Sequence, residues 1–234
     1  MRIYITGDTH RDFDRISFFC EENHTTKDDI MIILGDAGIN YYLLGMDDNL
    51  KDELNSMPIT LFCIHGNHEE RPYNIPTYTE QKWHSGTVYV ESKYPSLIFA
   101  KDGEIYDFNG QKYIVIGGAY SVDKYYRQIR GWQWFASEQP TDEIKTFVEQ
   151  QLDSVDWKID GVLSHTTPKA YEPTWAFLSG IDQSKVDKTT EIWLDTIEQR
   201  LTYKHWYAGH FHVDSQEGPI KIMFKKIEKL ADTF

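Results

Sequence analysis

The chain has 234 residues, enough for one large α/β domain and short for two. Its 37 acidic and 24 basic residues give a formal net charge of −13. That disfavours passive binding to nucleic acid or to an anionic membrane, both of which want a basic surface. No stretch approaches the ~20 apolar residues of a membrane helix, and no signal-peptide pattern precedes the first strand, so the expected location is the cytoplasm.

Ile3-Tyr4-Ile5-Thr6 reads as a strand that ends at Gly7-Asp8-Thr9-His10. Asp8 and His10 are two apart, so in extended backbone they point to one side, a carboxylate beside an imidazole. Phe13, Ile16 and Cys20 then have helical spacing, with Asp12 and Asp14 where a helix dipole favours acid. The apolar run 29–34 is a second strand and ends at Gly35-Asp36. Residues 41–57 are expected to form a crossover helix, weakened by Gly45 and stopped by Pro58. The run 59–64 is a third strand, leading to Gly66-Asn67-His68-Glu69. Asn67 offers a neutral oxygen, and His68 a nitrogen that binds metal or moves a proton. Glu69 is expected to orient the imidazole or cap the loop. Runs without alternation fit strands buried on both faces, as in a parallel sheet.

Short strands at 87–90, 97–100 and 113–116, broken by Pro95, Gly103 and Asn109-Gly110, predict antiparallel hairpins added to a mixed sheet. Gly117-Gly118-Ala119-Tyr120 follows, placed to approach a site closely. Lys124, Arg127 and Arg130 are either phosphate contacts or solvated charges, and the reading leans to solvation. Trp132 and Trp134 read first as packing, with base stacking as the other use. Pro140 to Glu143 opens a helix to about Ser154. The strand 159–163 ends at Ser164-His165, and 169–180 has the look of an ordered lid. An amphipathic helix over 189–201, a strand at 205–208 ending in Gly209-His210-Phe211-His212, a strand at 220–224 and a short charged tail complete the chain. His24, His65, His84 and His205 have no comparable context and read as structural or exposed; Cys20 and Cys63 read as buried hydrophobes. No linker marks a boundary, so residues 1–234 are taken as one domain.

Five strand ends thus carry metal-ligand chemistry in order: Asp8 with His10, Asp36, Asn67 with His68, His165, and His210 with His212. The set resembles the five blocks of the calcineurin-like metallophosphoesterases: Asp-x-His, Gly-Asp, Gly-Asn-His-Asp/Glu, a lone His and Gly-His-x-His. The resemblance spans residues 7 to 212. It implies a four-layer α/β/β/α sandwich with two mixed sheets. It also implies two divalent ions, one held by Asp8, His10, Asp36 and His212, the other by Asp36, Asn67, His165 and His210, with Asp36 bridging. The Asp/Asn/His shell suits Mn²⁺, with Fe or Zn²⁺ as the other candidates.

The implied activity is hydrolysis of phosphate esters by a hydroxide that the metal pair activates, on small phosphorylated or nucleotide substrates, as phosphatase or phosphodiesterase. His68 would be the catalytic general acid. Arg11, Arg127 and Arg130 are the candidates to clamp substrate phosphate. One departure stands out: phosphoprotein phosphatases of this superfamily carry an Arg soon after the second block, and Gly35-Asp36-Ala37-Gly38-Ile39-Asn40-Tyr41 has none. A serine/threonine-type phosphatase is therefore the alternative reading. A non-catalytic metal-binding scaffold for a protein partner is the other.

Overall fold

In the computed structural model, which describes residues 1–230, the apolar runs become strands of two sheets. The first sheet holds β1 (Ile3–Thr6), β2 (Ile30–Ile33), β3 (Thr60–Cys63), β4 (Tyr78–Trp83), β5 (Gly86–Glu91), β6 (Leu97–Ala100) and β13 (Glu228–Lys229). The second holds β7 (Ile105–Phe108), β8 (Gln111–Ile116), β9 (Gly161–Ser164), β10 (His205–Ala208), β11 (Ser215–Glu217) and β12 (Ile220–Ile222). Spatial order is β13-β1-β2-β3-β6-β5-β4 in one and β11-β12-β10-β9-β8-β7 in the other. Both are mixed: β1, β2, β3 and β6 run parallel, as do β8, β9, β10 and β12, and antiparallel strands finish the edges.

Three apolar layers hold the architecture together. Alternate residues of each parallel strand face opposite ways. Ile3, Ile5, Ile32 and Phe62 therefore meet Tyr113, Val115, Leu163 and Tyr207 between the sheets. Tyr4, Met31, Ile33 and Leu61 face outward and are covered by α1 (Asp14–Asn23) and α2 (Asp48–Ser56), through Ile16, Cys20 and Leu54. A short helix, α3 (Lys124–Arg130), follows β8. On the far side, Ile114, Ile116 and Val162 are covered by α4 (Asp142–Ser154) and α5 (Thr189–Glu198), through Val148, Leu152, Leu194 and Ile197. Helix, sheet, sheet, helix is the expected sandwich. Each fully buried Ile or Phe contributes roughly 1.5–3 kcal/mol, so the double burial of these runs is what fixes the layers. Both cysteines are free and buried.

Several expectations change in detail. The crossover helix occupies Asp48–Ser56, not 41–57. Leu43, Leu44 and Gly45 all have positive φ, and the Asp47 carboxylate accepts from the amides of Tyr42 and Leu43, so the first half is a loop. The strands β4 and β7 were not foreseen. β4 is an edge strand exposed from Thr79 to Lys82, with only Tyr78 and Trp83 packed on the core, and it turns into β5 at His84-Ser85 rather than at a glycine. β7 pairs with β8 across Asn109-Gly110, whose left-handed φ values suit the tight turn. The strand at 220–224 is shorter, Ile220–Ile222, and the tail folds back as β13 on β1. The last four residues of that tail lie outside the described residues.

Candidate metal centre

Sheet register brings the five polar ends together. Ile3 pairs with Ile30 and Ile33 with Cys63, so β1, β2 and β3 finish level and release Asp8, Asp36 and Asn67 side by side. In the second sheet Ala208 pairs with Ser164, so His165 and Gly209 also leave level. The two sets face each other across the top of the inter-sheet core. His165 is the clearest link: its Nδ1 lies 2.8 Å from the Leu34 carbonyl on the opposite sheet.

The donor atoms converge in two halves. In one, His10 Nε2 lies 2.8 Å from His212 Nε2 and 3.7 Å from Asp8 Oδ2, and His212 Nε2 lies 3.2 Å from that same oxygen. In the other, His165 Nε2 and His210 Nδ1 lie 2.8 Å and 3.1 Å from Asn67 Oδ1. Asp36 stands between them, with Oδ2 3.8 Å from His10 Nε2 and Oδ1 3.6 Å from His165 Nε2. Ligands about 2.1 Å from one ion sit about 3 Å apart, so these spacings suit coordination.

Each carboxylate is aimed by the backbone of another block. The amide of His210 donates to Asp8 Oδ1 at 2.9 Å, and that of His68 to Asp36 Oδ1 at 2.8 Å. Arg15 donates to the carbonyls of Gly7 and Asp8 and pins the first loop. Glycine is required where blocks interlock. A Cβ on Gly35 would lie 2.1 Å from His165 Nδ1, and one on Gly66 2.0 Å from Asp36 Oδ1. Four of the seven predicted ligands, His10, Asp36, His210 and His212, hold left-handed backbone, at a cost on the order of 1 kcal/mol each that the surrounding loops sustain.

The donor set fits cations. Asp8 Oδ2 is buried and accepts no hydrogen bond. Asn67 Nδ2 donates to Ser121 Oγ at 2.9 Å, which turns Oδ1 toward the centre. With Nδ1 of His165 donating to Leu34, its Nε2 is an acceptor facing that acceptor oxygen. Two lone pairs in contact call for a positive charge. Despite burial, the imidazoles of His68, His165 and His10 hold Asp36 far below the carboxylate range. Burial and His165 push His210 down to about 3, leaving a neutral ligand.

A family model for calcineurin-like phosphoesterases matches residues 1–214. The chain belongs to that family. Its members are metal-dependent hydrolases of phosphate esters, so this is an enzyme of that class. No curated protein matches the chain. Among solved structures, TT1561 of Thermus thermophilus aligns over 97% of each chain at 12% identity and TM-score 0.50, a likeness of fold. A second aligns over 95% of this chain and 89% of its own at 13% identity and TM-score 0.49.

Around the centre, this phosphoesterase departs from the sequence reading. Arg127, on α3, is buried rather than solvated. It pairs with Asp123 at 2.9 Å, donates to the Gln133 carbonyl, and donates through Nη2 to His68 Nδ1. His68 Nε2 then carries the ring proton, 3.9 Å from Asp36 Oδ2. Burial, with Arg127 beside it, holds His68 below the ordinary imidazole value despite Asp36. Arg11 sits on the rim, ion-paired with Asp47 at 2.6 Å and lying over the Tyr42 ring. Arg130 does not reach the site: it ends α3, exposed, with its guanidinium over Tyr126. Lys124 lies over the Trp134 ring, and Trp134 donates to Glu138, so Trp134 is packing. Trp132 is half exposed on the rim hollow that holds His10, Arg11 and Arg127.

Glu69 does not touch His68. It is buried and accepts from the Ala37 amide, holding the Gly-Asp loop, with its carboxyl pushed up to about 8 by burial and by Asp36. Ser121 was not singled out from the sequence. The nearest cue was Gly117 to Tyr120, the turn that delivers it.

Proposed function

We propose that this phosphoesterase works with two divalent ions, taking Mn²⁺ as the metal, on small phosphorylated or nucleotide substrates, as one cytoplasmic domain. The observation that carries the reading is Asp36, which presents one oxygen to each half of a seven-donor cluster. Asp8, His10, Asp36 and His212 would hold one ion; Asp36, Asn67, His165 and His210 would hold the other. When bound, the ions supply Lewis acidity for the phosphoryl group and an activated water. Two carboxylates against two divalent ions leave about +2 for the phosphate, a local centre that outweighs acidic surface beyond the ~10 Å screening length.

The chain's own groups do the rest. Leu34 and Ser121 fix the rings and amide that aim at the ions. His68 would present its Nε2–H as a hydrogen-bond donor to the phosphoryl and leaving oxygens, and Arg127 keeps that hydrogen on Nε2 by donating to Nδ1. Arg127 also sets positive charge beside the phosphate oxygens, a place that the missing Arg of the second block leaves open. Arg11 reaches the same rim from the first block.

The test is turnover of p-nitrophenyl phosphate and bis-p-nitrophenyl phosphate by metal-stripped protein, with and without Mn²⁺, beside a metal count. Monoester or diester turnover that returns with about two ions per chain is expected. A protein that loads two ions and hydrolyses neither ester, nor any other phosphate ester in a broad panel, would be a scaffold. Full activity at one ion per chain would remove the dinuclear reading.

A further inference from the structure

The predicted ligands form only the floor of a cavity of about 440 Å³. Asp36, Asn67, His68, His210 and His212 line that floor. The walls change character abruptly. One comes from the segment between β9 and α5, with Ala176, Phe177, Ile181 and Val186. The other comes from Phe211 and Val213, which follow the last histidine block. The Phe177 and Phe211 rings lie nearly parallel, 18° apart with centroids at 6.1 Å, so the two walls meet as one aromatic surface. All six of these side chains are only partly buried, although each is apolar. Apolar surface left open beside a catalytic floor is surface to be covered by substrate.

Charge in this cavity is arranged to repel a second anion. Glu172 and Lys188 neutralise each other at 2.7 Å. Asp123 and Asp187 lie on the lining without a free cation opposite them: Asp123 is taken by Arg127, and Asp187 accepts from Thr189 and Gln139. Glu191, deeper in the lining, is pushed up to about 7 by burial, and any charge it carries is negative. Arg11 and Arg127, paired with Asp47 and Asp123, line an adjoining hollow that shares His68 and Asp123 with this one. The floor and the adjoining hollow thus carry the groups that would meet phosphate, and the cavity walls carry apolar side chains.

We propose that the substrate is a phosphate monoester of an uncharged, apolar alcohol whose organic group fills the cavity against the joined surface of Phe177 and Phe211. This rests on the phosphoesterase reading above. His68, at the mouth, meets the ester oxygen, and the alcohol leaves into apolar surroundings. Polyphosphates and acidic phosphopeptides are disfavoured by the same walls, because among the described residues a second anion there finds only Lys188, already paired with Glu172.

The experiment compares benzyl phosphate, methyl phosphate and glycerol 3-phosphate on the Mn²⁺-loaded full chain. Their leaving alcohols are of similar basicity, so differences in kcat/KM report the pocket. Burial of a phenyl ring is expected to favour benzyl over methyl phosphate about 100-fold. Titration calorimetry of benzylphosphonate against methylphosphonate, which need no turnover, is expected to show a similar ratio and a more negative heat-capacity change. Phe177→Ala should cut the benzyl-to-methyl ratio about tenfold, and Val186→Ser on the other arm of the segment is a second variant should the first not fold. Equal use of the three esters, or preference for glycerol 3-phosphate, overturns the proposal and leaves the phosphoesterase reading standing. Absence of hydrolysis of every ester, with no phosphonate bound by metal-loaded protein, removes both.

Discussion

Two regions meet at His68 and are held in opposite ways. The ligand cluster hangs from strand ends whose register is set by parallel ladders, and its carboxylates are aimed by backbone amides. The segment from Pro168 to Lys188, by contrast, is three short 3-10 turns. Its anchors are chiefly side chains, such as the Glu172–Lys188 pair and the Asp195 carboxylate that accepts from the Ala170 amide. On the proposals above, chemistry that tolerates little displacement would be built on the rigid region, and choice of substrate on the looser one. Changes in the first should abolish turnover; changes in the second should redirect it.

The sharpest way to break this contrast is Asp36→Ala. It removes the one side chain common to both halves of the cluster, so activity should fall on the order of a thousandfold or more, with metal content lost together. Stripping metal from the native protein should lower Tm by roughly 5–10 °C relative to protein saturated at about 100 Kd, and Asp36→Ala should show no such shift in calorimetry. Retained metal in that variant would place the cluster's centre elsewhere.

His68→Ala should lose about 10²- to 10³-fold in kcat while metal content stays near normal, since only a hydrogen-bond donor to the phosphoryl and leaving oxygens is gone. Loss of both ions there would make His68 a ligand. Arg127→Ala should lose about 10- to 100-fold in kcat, the usual cost of removing a group that orients a working side chain, and should shift the pH profile of kcat. Ser121→Ala should weaken metal affinity by a similar factor without moving that profile.

The smallest effect lies at the base of the looser region. Folded Glu191 keeps its proton to about pH 7, because burial, with Glu172 near it and against the pull of Lys188, disfavours the carboxylate. The unfolded chain releases it near 4.5. Between those values the native state carries the extra proton, so stability is full below about pH 4.5 and declines as pH rises through 7. Glu191→Gln should remove up to about 3 kcal/mol of that decline: similar Tm at pH 5, higher Tm than the native chain at pH 8. A parallel decline in both proteins would show that Glu191 titrates normally.

Strand ends were the legible part of this molecule. Ile3 to Thr6 and its counterparts are buried on both faces, and such runs announce themselves by composition. The candidate ligands at their ends are of types that a turn does not need. What could not be read is whatever depends on contacts distant in sequence. Arg127 looks like any surface cation until Gln133 and His68 close around it. Glu69 sits next to His68 in the chain yet serves Ala37. Ser121 gains meaning only from Asn67, 54 residues earlier. β4 carried little signal because only its end residues, Tyr78 and Trp83, pack on the core, and the first half of the expected helix at 41–57 gave way to the side chain of Asp47.

The contact between His165 and Leu34 joins residues 131 apart, and it occupies the space a side chain on Gly35 would need. Neither sheet alone contains a complete half of the cluster: Asp8 and His10 come from one, His212 from the other. Closure of the two sheets and birth of the centre are thus a single event along the folding path. A metal-sensitive signal during refolding should lag behind hairpin formation and coincide with sheet docking, so a bound ion would time the closure of the two sheets.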